Sequence, residues 1–365
     1  MQVIYSEIHR RHDPPFEILE GGQKVPVFES PARMERILAA LARTGWADLR
    51  PPDEFGLEPI LAVHAQDYVD YLRTAYEEWQ KQGGELGDQT DTTVLLASTF
   101  PPRRGNRKPT SVAGLAGYYS FDLSCPIIAG TYAAARSAAN CALTGAERLC
   151  AGESAVFALC RPPGHHAGPD YAGGYCYLNN ACIAAQYLAS SLSGGTEGGA
   201  SSPFPGGIEG GRVALLDIDY HAANGTQDIF YNSAQVLTLS LHADPHHQYP
   251  YFTGYADEIG AGVGTGFHRN FPLPSGTDDA AYLRTLDEAL SRITEFDPHY
   301  LVLSFGADTF GGDPLGDFAL TTPGFAAIGA RIAALGLPTL IVMEGGYNTE
   351  ALGENICTLL EGFVR

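Results

Sequence analysis

Four stretches of the sequence place histidine, carboxylate or tyrosine directly after a short apolar run. RPPGHHAG follows Ala155–Cys160 and supplies His165 and His166. DIDYHAANG closes Val213–Asp217 and supplies Asp217, Asp219, His221 and Asn224. GADTFGGDP follows Tyr300–Phe305 with Asp308, and EGGYN follows Thr339–Met343 with Glu344 and Tyr347. Asp219 and His221 lie two apart on extended chain, so their side chains point the same way. With Asp308 they form a two-carboxylate, one-imidazole set. Three protein ligands leave a position open for water and substrate, as in catalytic rather than structural zinc sites. Oxygen-rich ligands would also suit Fe(II) or Co(II). The paired imidazoles on the Pro162–Pro163–Gly164 turn could supply a base for water and an acid for a leaving amine. Asp217 and Asn224 are the candidates to hold their tautomers. A phenol at Tyr347, beside Gly345 and Gly346, could donate to a developing oxyanion. The chemistry that results is metal-assisted hydrolysis.

Something must bring these four stretches together. Runs at Val3–Ser6, Ala155–Cys160, Val213–Asp217, Val236–Leu241, Tyr300–Phe305 and Thr339–Met343 lack polar alternation, as parallel strands covered on both faces do. Helical patterns lie between them at Pro31–Thr44, Asp67–Lys81, Gly130–Ala151, Asn180–Ser190, Asp278–Glu295 and Pro323–Leu335. Alternating strands and helices predict a single-domain α/β fold, a doubly wound parallel sheet with helices on both faces. Ligands of such sheets bind beyond the carboxyl ends of the strands, where all four stretches fall. Two segments interrupt the pattern. Gly83–Ser124 has little periodicity and reads as a functional or interface insertion. Ser193–Gly211, SGGTEGGASSPFPGGIEGG, reads as a flexible loop.

Composition limits the partners. The 365-residue chain carries a formal charge of −20, which repels nucleic acid and anionic membrane and favours cationic ligands. No apolar run approaches the roughly 20 residues that cross a bilayer. No secretory signal is legible at the start. Seven cysteines, an odd number with no CxxC pair, predict buried reduced thiols and a cytoplasmic setting.

RPPGHHAG, GGYCYLNN, LDIDYHAANGTQDIFY, LSLHADP, GADTFGGDP and MEGGYN together resemble the zinc-dependent histone deacetylase superfamily, in matching order from about Ser6 to Phe363. HRRHDPPFEILEGG, TSVAGLAGYYSFD and the EGGYN ending look most like acetylpolyamine amidohydrolases and related bacterial deacetylases. The resemblance implies an arginase–deacetylase fold and removal of acetyl groups from small acetylated amines such as acetylpolyamines. Acetyl-lysine on proteins is the alternative substrate, and a non-catalytic module for acetylated ligands a third reading. The resemblance implies Asp219, His221 and Asp308 as zinc ligands, His165 as base, His166 as acid and Tyr347 as the oxyanion donor. It sets Asp217 and Asn224 beside the two histidines, Gly173, Gly174 and Tyr175 on one wall of the substrate tunnel, and Tyr249 on the other. It implies a structural potassium ion held by backbone carbonyls of Asp217, Asp219 and His221 with Ser240 and Leu241. The Gly83–Ser124 insertion is expected to build a homodimer and narrow the active-site mouth. The chain departs from the family in reading His221–Ala222–Ala223–Asn224–Gly225 where a second histidine and a glycine are usual. It also has Ala113 and Ser124 where polyamine enzymes carry acidic residues.

Overall fold

Alternation along the central strands sets the architecture. In the computed structural model, which describes residues 1–86, 93–102, 107–192 and 211–364, Val213 and Leu215 face one apolar core. Ala214 and Leu216 face another. A strand buried on both faces needs helices on both sides. In chain order the first elements are β1 (Gln2–Ile4), β2 (Glu17–Ile18), β3 (Lys24–Val25), α1 (Pro31–Leu41), β4 (Asp48–Arg50), α2 (Glu58–Leu61) and α3 (Gln66–Leu86). Then come α4 (Val112–Tyr118), α5 (Thr131–Cys150), β5 (Ala155–Ala158), α6 (Asn180–Leu192), β6 (Val213–Asp217), α7 (Asn224–Phe230) and β7 (Val236–Ala243). The last are β8 (His268–Leu273), α8 (Asp279–Phe296), β9 (Tyr300–Phe305), α9 (Thr322–Ala333), β10 (Thr339–Met343) and α10 (Leu352–Leu360).

The main sheet runs β4-β1-β5-β10-β9-β6-β7-β8, and every neighbouring pair is parallel. Helices α3, α5 and α6 cover one face, and α1, α8, α9 and α10 the other. Local chemistry marks the ends of these helices. The Asp278 carboxylate accepts the Ala281 N–H at 2.8 Å to start α8, and Asp297, with φ at +52°, stops it. Thr321 caps α9, where proline occupies the first turn.

The order has one consequence for function. β5, β10, β9 and β6 are consecutive neighbours at the centre of the sheet. Their carboxyl ends, far apart in sequence, therefore open onto one patch. All six predicted strands are present within two residues of their expected ends. β5 stops at Ala158 rather than Cys160, where the Cys160 N–H turns back to the Ala158 carbonyl at 2.9 Å. Two edge strands carried no signal: β4 is exposed throughout, and β8 mixes polar with apolar residues. The 83–124 stretch, read as aperiodic, contains the last turn of α3 and all of α4, which Ser111 caps. Ser193–Gly211 lies outside the described residues except for Gly211. Among the described residues no helix is long and apolar enough to cross a membrane.

Candidate active site

Each of the four central strands delivers one part of the site. The turn after β6 carries Asp219 and His221, and the turn after β9 carries Asp308. One donor atom from each of the three lies within 4.8 Å of the others. His221 Nδ1 is 3.3 Å from Asp219 Oδ1 and 3.2 Å from Asp308 Oδ2. Both carboxylates are fully buried, and Asp308 Oδ2 accepts no hydrogen bond. A buried, unpartnered carboxylate oxygen is costly unless a cation meets it. The donor chemistry and the orphaned oxygen thus fit a divalent ion. The remaining oxygens are oriented by the backbone. Asp219 Oδ2 accepts the Gly345 N–H at 2.9 Å, and Asp308 Oδ1 the Tyr220 N–H at 3.0 Å. Gly345 is glycine for a local reason: a Cβ there would run into both carboxylates.

Charge is unevenly held in this cluster. Burial, and then the Asp219 charge, push the Asp308 carboxyl up to about 7. Burial opposes protonation of His221, but the adjoining Asp219 and Asp308 carboxylates outweigh it and raise the imidazole to about 9. Burial likewise disfavours the charged form of His165, and the Asp219 and Asp217 charges overcome it.

The turn after β5 carries the histidine pair, with ring centres 4.0 Å apart. His165 Nδ1–H donates to Asp217 Oδ2 at 3.2 Å, and His166 Nδ1–H to Asn224 Oδ1 at 2.6 Å. In both rings Nε2 is left for chemistry. Burial and the neighbouring His165 and His221 hold His166 well below its ordinary value. Tyr347, after β10, is buried and stays protonated, because burial pushes its phenol far up while Arg33 pulls only partly the other way. His166, Gly174, Tyr175, His221, Tyr249 and Tyr347 line a cavity of about 310 Å³. Tyr175 sits in the left-handed region at φ +68° and presents its ring 5.8 Å from that of Tyr347. Gly174 lies against His166 so closely that a Cβ would strike the ring.

The Ala222–Ala223 departure fits without strain. Ala223 has φ −76°, a value open to any residue, and both alanines are buried. Asp217 and Ser240 are register partners on β6 and β7, and the Ser240 hydroxyl is 2.7 Å from the His242 ring.

Several site residues had no signal of their own in the sequence. Arg33 on α1 is fully buried and donates to the carbonyls of Glu344 and Gly346 at 2.6 Å each. It shares Glu29 Oε1 with Arg161, and its guanidinium lies 4.9 Å from the Tyr347 ring centre. Asp313 Oδ2 accepts the Tyr347 and Asn348 N–H groups at 2.6 and 2.9 Å. Glu344, whose position but not role was legible, is fully buried. Its Oε2 accepts the Gly164 and His165 N–H groups and its Oε1 the Ser304 hydroxyl. Although Glu344, His165 and Cys176 lie close enough to share an ion, the carboxylate is already occupied by these donors and serves to hold the histidine turn.

His64 holds the far side of that turn. Its Nδ1–H donates to the Gly168 carbonyl and its Nε2 accepts the Asn179 N–H, both at 2.9 Å. Only the neutral ring makes both bonds, and burial lowers the imidazole to about 4. Because the folded value lies below the unfolded one, this stability is present above about pH 6.5 and lost as pH falls towards 4. It amounts to about 3 kcal/mol. His64→Gln should melt several degrees below the unmodified chain at about pH 7.5. That gap should shrink by about half near pH 5, because the variant has no such group to protonate. A gap that stays constant with pH would show that His64 does not act in this way.

The sequence matches the histone deacetylase domain family over residues 27–363. It is 45% identical to acetylpolyamine amidohydrolase 2 of Pseudomonas aeruginosa, over 100% of this chain and 98% of that protein. It is 42% identical to the acetylpolyamine amidohydrolase of Mycoplana ramosa, over 99% of each. The crystal structure of acetylpolyamine aminohydrolase from Burkholderia pseudomallei superposes with a TM-score of 0.89 at 38% identity, covering 100% of this chain and 98% of that one.

Proposed function

The chain belongs to the histone deacetylase domain family, and on that premise we propose that it hydrolyses the acetyl amide of small acetylated amines, acetylpolyamines first among them. The observation that carries this reading is the Asp219, His221 and Asp308 cluster, with the paired His165 and His166 beside it, at a cavity lined by His166, His221, Tyr347, Tyr175 and Tyr249. The whole-length relatives are acetylpolyamine amidohydrolases by name, and a net charge of −20 favours a cationic substrate.

Asp219, His221 and Asp308 would hold one zinc ion, which supplies Lewis acidity towards the acetyl carbonyl and towards water. His165, kept in one tautomer by Asp217, takes the proton of the attacking water at Nε2. Tyr347 donates its phenol O–H to the oxyanion as it forms. His166, kept by Asn224 and neutral at rest, takes up at Nε2 the proton that His165 removed from water, its ring centre 4.0 Å away, and gives it to the departing nitrogen. Tyr175 and Tyr249 flank the methylene stem, whose burial favours binding by about 0.8 kcal/mol per CH₂. Backbone carbonyls of Asp217, Asp219 and His221, with Ser240 and Leu241, would hold a structural potassium ion beside the strand ends.

Two features support a homodimer that closes over the mouth. Phe121 and Phe252 are exposed to 36% and 86%, and Phe121 packs on the Tyr249 ring at the wall. Light scattering at micromolar concentration should report twice the chain mass. All seven cysteines are free and all but Cys150 are buried, which suits the reducing cytoplasm.

The substrate assignment is tested with a panel on zinc-loaded protein. Acetylcadaverine and acetylspermidine should be hydrolysed with a kcat/KM at least about tenfold above that of an acetyl-lysine peptide. The reverse order would assign the chain to protein deacetylation. No turnover of either class would leave only an acetyl-ligand binding module.

A further inference from the structure

The two walls of the cavity come from distant parts of the chain. Gly174 and Tyr175 follow β5, and Tyr249 follows β7. A third segment joins them. Asp122 Oδ2 accepts both the Gly174 N–H at 2.8 Å and the Tyr249 O–H at 2.6 Å. Its Oδ1 accepts the Ser124 N–H at 2.9 Å, which fixes the carboxylate from behind. The surrounding segment is knit to the first wall. The Phe121 N–H donates to the Ala172 carbonyl at 3.1 Å, and the Ala172 N–H to the Tyr119 carbonyl at 2.8 Å. Phe121 then stacks on Tyr249, with ring centres 5.9 Å apart, and meets Tyr171 edge-on at 5.6 Å. Tyr249 in turn packs edge-on against His166 at 5.0 Å and His221 at 5.8 Å.

We propose that Asp122 is a positioning residue that ties the two walls of the channel together and sets its bore, and so selects slender, unbranched acetylated amines over bulky ones. The proposal rests on the reading that the substrate stem lies between Tyr175 and Tyr249. A tyrosine on a mobile wall can rotate aside to admit a branched amide. A tyrosine whose hydroxyl is hydrogen-bonded to a side chain that also grips the opposite wall cannot do so without breaking that bond. The carboxylate is spent on the two walls and does not itself line the cavity. It therefore acts through Tyr249 and Gly174 and does not itself bind the amine.

The test is a double-mutant cycle. Asp122→Ala, Tyr249→Phe and the double variant are compared with the unmodified chain, using acetylcadaverine and a peptide containing acetyl-lysine. Each single substitution should lower the slender-to-bulky ratio of kcat/KM about tenfold. The double variant should fall no further than Asp122→Ala alone, because that substitution already removes the Tyr249 bond. For acetylcadaverine the change should appear chiefly in KM. Asp122→Asn, which keeps an acceptor for the two wall donors and is the variant least apt to disturb folding, should recover most of the lost ratio. An unchanged ratio in Asp122→Ala, or effects that multiply in the double variant, would overturn the proposal. So would an Asn variant no better than Ala, since that points to the negative charge itself. If the unmodified chain hydrolyses neither substrate, the deacetylase reading has failed separately. The same cycle is then read by calorimetric binding of a linear and a branched alkyl hydroxamate, with the same non-additive loss of preference expected.

Discussion

Asp308→Asn should lose bound zinc and at least about a thousandfold of turnover while remaining folded. Asparagine keeps an oxygen for the Tyr220 N–H, so the turn after β9 retains its backbone bond. What it removes is the anionic oxygen that accepts nothing from the protein and lies 3.2 Å from His221 Nδ1. Two ligands then remain where three are needed to hold a catalytic ion. Chelation of the unmodified chain should have the same effect on rate, and re-addition of zinc should restore activity to the unmodified chain alone. Metal content by mass spectrometry, read beside turnover, is the check. A variant with one equivalent of metal and full activity would remove Asp308 from the site.

Tyr347→Phe should lower kcat by about a hundredfold to a thousandfold and leave KM for acetylcadaverine nearly unchanged. The ring keeps its place, held by the Asp313 clamp on the Tyr347 and Asn348 N–H groups, by Arg33 and by Tyr175. Only the hydroxyl is lost, and a hydroxyl that binds the oxyanion more tightly than the ground-state carbonyl affects the chemical step. Because burial keeps the phenol protonated far into alkaline pH, the substitution should not move the pH profile. Near-full turnover in this variant would reassign the oxyanion contact to another group.

Arg33 illustrates how the site is supported from a distance. It reaches from the first helix of the sheet's second face to two carbonyls more than 300 residues later in the chain. Arg33 and Arg161, both buried, donate to the same Glu29 carboxylate oxygen. Such a group is hard to infer from sequence, because an arginine in an amphipathic helix is ordinarily solvated. Asp122 is hard to infer for a similar reason. It lies two residues from the position where the resemblance leads one to seek an acid, and its partners are a backbone N–H and a phenol on two other loops.

The sequence by itself determined the chemistry. Asp217, Asp219, His221 and Asn224 fall within eight residues, and the extended backbone there dictates that Asp219 and His221 share a direction. It determined the strand cores too, because a β-strand buried on both faces is built mostly from apolar residues. Tertiary structure decided the strand order, which makes neighbours of β5, β10, β9 and β6, and with it the convergence of four separate strand ends. It decided the supporting contacts of Arg33, Glu344, Asp313, His64 and Asp122 as well. The physical reason is that a ligand set close in sequence is positioned by local backbone geometry. Contacts across the sheet depend instead on which faces the whole chain can bury at once, and no short window of sequence carries that information.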